Sequence, residues 1–191
     1  MGFDRKICGR RNGFTLIELI MVIVILGVLS AAGTHLTFHL VKNAIFVPNK
    51  LNMDMLASDA LDIIVDGDGL AKGLRFSKSI TAVQDYQVNF NNQDGQSVVY
   101  RLDTGTNKLY RSLNGGTEVV IPYYAAAAGV SVAGNNNKLF IYYDANETVT
   151  ADPAAVRWVT ITLNAKTGTG SYDNWQGQSQ QSASIAVNKF Q

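Results

Sequence analysis

Hydrophobic positions fall along this chain in three regimes, and each predicts a different kind of element. From Phe14 to Gly33 the sequence FTLIELIMVIVILGVLSAAG is almost wholly apolar. As a helix its roughly 20 residues cross a hydrocarbon layer of about 30 Å. Leu36, Leu40, Val41, Ala44 and Ile45 then recur at helical spacing, so the span is expected to continue as an amphipathic helix. Pro48 should bend or break it. Beyond Pro48 the pattern resumes, with Met53, Leu56, Ala60, Ile63 and Ile64 on one face and Asp54, Ser58, Asp59 and Asp62 mostly opposite. Gly67 and Gly69 should end it.

From about Gly73 the period shortens to two. Tyr86–Asn91 alternates as a half-buried strand does, Asp94-Gly95 is a turn signal, and Val98, Tyr100 and Leu102 share a face of the next strand. Further strands are expected at Leu109–Leu113, Thr117–Ile121, Leu139–Tyr143, Val156–Leu163 and Ser184–Phe190, punctuated by Gly105, Asn114-Gly115-Gly116 and Asn135-Asn136-Asn137. No long helical pattern intervenes, which predicts antiparallel meanders and an α+β fold: a long N-terminal helix followed by an antiparallel β domain. Trp158, inside a strand, is expected in the core.

Composition changes the picture mainly at the N-terminus. The 191 residues carry a formal charge of +1, which argues against a nucleic-acid partner. Arg5, Lys6, Arg10 and Arg11 are opposed there only by Asp4. Removing those five from the 16 basic and 15 acidic residues leaves 12 against 14, a charge near −2. The sole cysteine, Cys8, lies in the same segment. A mature chain beginning after it has no thiol, which excludes a disulfide scaffold and a cysteine nucleophile. Basic residues before the apolar span place the N-terminus in the cytoplasm and the remainder across the membrane.

Glu18 is the only charge between Arg11 and Lys42. An acid within an apolar helix is costly to insert, and neither a secretory signal nor a plain anchor gains from it. The run Arg10-Arg11-Asn12-Gly13-Phe14-Thr15-Leu16-Ile17-Glu18-Leu19 resembles the leader and mature start of type IV pilins and type II secretion pseudopilins. That resemblance implies cleavage after Gly13 by prepilin peptidase, N-methylation of Phe14, and an assembly role for Glu18. It divides the chain into a leader (1–13), a transmembrane assembly helix (14–33), its periplasmic continuation (34–69) and a pilin-like β domain (70–191). It also implies a single-pass inner-membrane subunit that later joins a filament or pseudopilus. The implied partners are other pilin or pseudopilin subunits, an inner-membrane assembly platform and membrane lipid.

The physics runs the same way. Glu18 lies about 6 Å along the helix from Phe14 at 1.5 Å per residue. In a low-dielectric medium its carboxylate seeks a cation, which the terminal amine of a neighbouring subunit would supply. Snorkelling toward headgroups is the plainer account, and the two can coexist. Many major pilins carry a proline where this chain has His35, which favours a minor subunit. Leu139-Phe140-Ile141-Tyr142-Tyr143-Asp144 followed by Asn146, with the later strands, loosely resembles J-type minor pseudopilins and related minor pilins.

Other chemistry is thin. His35 and His39 have the i, i+4 spacing of a helical metal pair, yet read as interfacial residues beside the membrane boundary. They are the only histidines, so the β domain has no Ser/His or Cys/His set. Asp66-Gly67-Asp68-Gly69 begins like a calcium loop but has Leu70 and Ser77 where an EF-hand needs ligands, and reads as a helix-ending turn. Asp144, Asn146, Glu147 and Asp152 form a second acidic loop, the one place where calcium is conceivable; otherwise no cofactor is expected. Trp175, with Tyr123 and Tyr124, is a candidate exposed aromatic surface. The main rival to a pilin is an exported binding module whose signal peptide is cut after Ala32, with Ser30 and Ala32 as the small residues before Gly33. An anchored extracytoplasmic enzyme is the weakest reading, for want of histidine and cysteine in the domain.

Overall fold

A computed structural model describes residues 13–122, 128–132, 138–167 and 178–187. The expectations for Cys8 and the basic leader, Tyr123, Tyr124, Asn135–Asn137 and Trp175 lie outside these residues. The chain forms two compact units, Met1–Asn43 and Ala44–Gln191.

One helix, α1, is assigned from Leu16 to Val65 without a gap, so Pro48 does not break it. Proline removes one backbone donor and crowds the carbonyl four residues earlier. The apolar run before Pro48 and the packed face after it each support helix independently, and together they outweigh that local loss. In the first unit α1 buries nothing: Leu16, Ile17, Met21, Leu29 and Leu40 are all exposed. In the second unit Met53, Leu56, Ala57, Ala60, Leu61, Ile64 and Val65 are buried, a stripe at the expected spacing.

The helix ends as the sequence predicts. Gly67 takes φ +97°, and a Cβ there would lie 2.1 Å from the Ala71 carbonyl oxygen, so only glycine fits. The chain then doubles back in a minimal hairpin of β1 (Gly67–Asp68) and β2 (Ala71–Lys72).

Two antiparallel sheets follow, giving the expected α+β architecture. The first runs β3 (Ser77–Val83), β4 (Gln87–Asn92), β5 (Ser97–Asp103), β6 (Lys108–Leu113) and β7 (Val119–Val120), in chain order. Strands β4 and β5 alternate strictly, burying Val88, Phe90 and Asn92 on one and Val98, Tyr100 and Leu102 on the other. Phe90 and Tyr100 stack with centroids 5.9 Å apart. The Asn92 side-chain oxygen accepts from Asp94 N–H and Gln96 N–H, fixing the turn at Asp94-Gly95. The second sheet is ordered β11 (Gln178–Ala186), β10 (Trp158–Thr167), β8 (Ala128–Val132), with β9 (Phe140–Tyr143) also pairing β10. Residues from α1 and both sheets form one core cluster.

Three expectations need correction. Trp158 is not core but 37% exposed. Val159, Ile161 and Leu163 take the inner face of β10, and period-two alternation sends Trp158 outward, opposite Tyr143 and Ala186. The strand expected from Ser184 already begins at Gln178 and is described to Ala186, the expected residues 188–190 lying outside the described ones; its Gln/Ser-rich start pairs with β10 through the backbone ladder and carries no apolar pattern to announce it. Strand β3 was not expected at all. Register shifts between Ser77 and Ser79 and between Ile80 and Ala82 break its alternation.

Candidate functional site

The N-terminal segment is built around the start of α1. Thr15 directly precedes the first helical residue, and Glu18 lies three positions on. Thr15 N–H and Thr15 Oγ1 both donate to Glu18 Oε2, at 2.9 and 3.0 Å, while Glu18 N–H donates to Thr15 Oγ1 at 3.3 Å. This reciprocal pattern is a capping box, which satisfies backbone donors left orphaned at a helix start. The acid also lies where the positive end of the helix dipole favours it. Glu18 Oε1 takes no hydrogen bond from the described residues, so half of the carboxylate is committed locally and half is not.

The residues before the box are open. Phe14 is 84% exposed, and Gly13 has no heavy atom within 4 Å of where a Cβ would stand. Among the described residues nothing requires glycine at position 13.

The span Leu16–Ala44, which carries only Glu18 and Lys42 as charges, has an apolar window of mean hydropathy 2.6 with no burial, and is long enough to cross a membrane by length and composition. It reaches beyond Gly33 to include His35 and His39, whose rings meet edge-on at 4.6 Å. Thr34 and Thr37 donate their hydroxyls back to the Ser30 and Gly33 carbonyls, both at 2.8 Å, so these polar side chains are satisfied within the helix.

Elsewhere the candidate chemistry resolves into structure. Asp66-Gly67-Asp68-Gly69 is the helix-ending turn. Asp68 Oδ1 accepts from Leu70 N–H (3.0 Å) and Ala71 N–H (3.1 Å), and Asp68 Oδ2 pairs with the Arg111 guanidinium. Partial burial would raise the Asp68 pKa, but the hydrogen bond from Arg111, the Leu70 N–H, the Arg111 charge and the Ala71 N–H together hold it below the ordinary carboxylate value. Asp66 pairs with Arg75 at 2.7 Å. In the second acidic loop Asp144 Oδ1 accepts from Asn146 N–H and Thr148 N–H, and Asp152 Oδ1 from Ala154 N–H. These carboxylates shape turns, and among the described residues no three His, Cys, Asp or Glu side chains gather as a metal set.

Sequence reasoning missed Thr15, although Thr-x-x-Glu ahead of an apolar run is a readable capping signal. It also missed Arg111, an inward-facing cation on β6 only 2% exposed, whose partner lies 43 residues away.

A family model described as the prokaryotic N-terminal methylation motif matches residues 8–34. No curated protein and no solved structure matches the chain. The motif implies processing by prepilin peptidase and assembly with other pilin subunits, and the apolar helix fits the membrane anchor of such a protein. Motif and helix together support a type IV pilin-like protein.

Proposed function

We propose that this chain is a minor pilin or pseudopilin, a subunit that helps to prime or build a type IV pilus or type II secretion pseudopilus and has no catalytic role. Prepilin peptidase removes residues 1–13 by cutting after Gly13 and N-methylates Phe14. Residues 14–33 span the inner membrane with the N-terminus cytoplasmic, 34–69 carry the helix on to Val65 and through its terminal turn, and 70–191 form the periplasmic β domain. The observation that carries this reading is the methylation motif lying on the start of a fully exposed apolar helix.

Glu18 then has two tasks. Oε2 holds the helix start through Thr15, and Oε1 remains for the methylated amine of an adjacent subunit. In lipid, a carboxylate with an unfilled acceptor gains from such a cation only when subunits stack in one register. The capping box survives cleavage, because Thr15 N–H belongs to the Phe14–Thr15 peptide bond. Gly13 supports the same account: nothing among the described residues needs it, so its place is accounted for by what the peptidase accepts.

A Gly13→Val subunit tests the reading. It should fold normally, keep its leader, stay in the membrane fraction and be missing from sheared filaments or pseudopili. Normal incorporation of Gly13→Val would count against it. Export by a signal peptide cut after Ala32 predicts no effect at position 13.

A further inference from the structure

Strand β11 closes one side of the second sheet, with β10 as its single strand partner among the described residues. Just past its end Val187 N–H donates to the Arg157 carbonyl at 2.7 Å. In an antiparallel ladder the N–H and C=O of one residue point to the same side, and alternate residues point oppositely. Gln181, Ala183 and Ile185 therefore face β10 with Val187, while Gln180, Ser182, Ser184 and Ala186 turn their backbone groups to the open edge. All four are exposed, and no hydrogen bond from the described residues reaches their N–H or C=O. The short turn Leu74–Phe76 lies beside β11 without bonding it: Phe76 N–H goes to the Gly73 carbonyl, and Ser77 Oγ to that of Leu74.

Edges elsewhere carry features that discourage pairing. Strand β3 has the exposed Lys78 and two register shifts, and β7 is two residues long beside the exposed Glu118. The outer edge of β9 is occupied, since Phe140 N–H donates to the Asp85 carbonyl and Thr150 N–H to that of Tyr142. Strand β11 has none of these protections. Its nine residues, QSQQSASIA, include no charge and no proline, and its ladder with β10 keeps one register from end to end.

We propose that β11 pairs antiparallel with the β11 of a second copy of this chain, joining two second sheets into one across a two-fold axis. The four open residues are centred on Ala183. A two-fold there sets Gln180 opposite Ala186 of the other copy, and Ser182 opposite its Ser184. Each such pair exchanges both backbone bonds, so every open group finds its complement. The side chains allow it. Ala183 meets its own small counterpart at the axis, Gln181 faces Ile185, and an uncharged strand has no like charges to set against themselves. This inference does not rest on the pilin reading.

The test follows amide exchange of the ¹⁵N-labelled full chain in detergent micelles over a range of protein concentrations. The amides of Gln180, Ser182, Ser184 and Ala186 should exchange about tenfold more slowly at the high end than at the low end. Reading these amides separates β11 pairing from association through the apolar helix. A charge swap then identifies the partner. Ser182→Lys with Ser184→Lys sets like charges opposite each other across the axis and should abolish the protection, as should Ser182→Glu with Ser184→Glu; mixing the two variants should restore it. Both positions are exposed and only the Thr160–Ser184 hydroxyl contact is lost, so each variant should keep its melting temperature within a few degrees. The inference is overturned if the four amides exchange rapidly at every concentration, or if the lysine variant alone keeps the protection. Protection independent of concentration (the chain's own segment), or gained only when a different protein is added, overturns it as well.

Discussion

Thr15 and Glu18 close a hydrogen-bonded ring at the first turn of the apolar helix, with both Thr15 donors on the single oxygen Oε2. The acid that marks this segment in the sequence is therefore already half engaged within its own chain. That separates two roles which a simple truncation would confuse.

Glu18→Gln tests the separation. The amide oxygen still accepts from Thr15, so the helix start should remain protected from amide exchange, while the charge for a neighbouring amine is gone. Incorporation into sheared filaments should fall on the order of tenfold. Glu18→Ala should lose both the cap and incorporation. Equal incorporation of Glu18→Gln and the unaltered chain would leave Glu18 with capping alone.

In the β domain the corresponding anchor is a pair of cross-strand neighbours. Tyr100 and Arg111 stand opposite each other on β5 and β6. Tyr100 donates its hydroxyl to the Ile63 carbonyl at 2.8 Å, and Arg111 pairs with Asp68 just past the helix end. Arg111 is almost fully buried, so removing Asp68 takes a paired carboxylate away from a guanidinium that water scarcely reaches. Asp68→Ala should destabilise the fold by about 3 kcal/mol, and Arg111→Met with Asp68→Leu should restore much of that. Thermal unfolding of the full chain in detergent, followed by tyrosine and tryptophan fluorescence, measures both.

Tyr100→Phe is a milder probe of the same anchor. It leaves the ring in place against Phe90 and deletes one hydrogen bond to a helix carbonyl. A loss of about 1 kcal/mol is expected in the same unfolding measurement. No change in stability would mean that the carbonyl is equally well solvated without it.

Stability should fall in acid for a stated reason. The Asp68 pKa is lower in the folded chain than unfolded, so its stabilising contribution is complete above about pH 4 and is lost as pH falls through the depressed folded value. Unfolding midpoints measured from pH 6 downward should decline in that window. In Asp68→Asn the decline should be shallower, and an unchanged slope would remove Asp68 as its source.

How much of this was legible from the sequence follows from what each pattern encodes. The apolar run, the Met53–Ile64 stripe and the Val98–Leu102 alternation are burial patterns, and they gave the helix, its buried face and the first sheet apart from β3. Strand β11 is held by backbone pairing with polar side chains, so hydrophobic periodicity is blind to its first half. Trp158 was misplaced because Val156, Trp158 and Val159 break strict alternation, and only the partners of β10 decide which parity faces inward. Arg111 and Asp68 lie 43 residues apart in sequence, a pairing that no local spacing announces.

The most direct measurement is the mass and fragmentation of the N-terminal peptide of the protein isolated from its native membrane or filament. A chain beginning at Phe14, methylated on its α-amine, is the expected result. A chain beginning at Gly33, or one retaining residues 1–13 after assembly, contradicts the account.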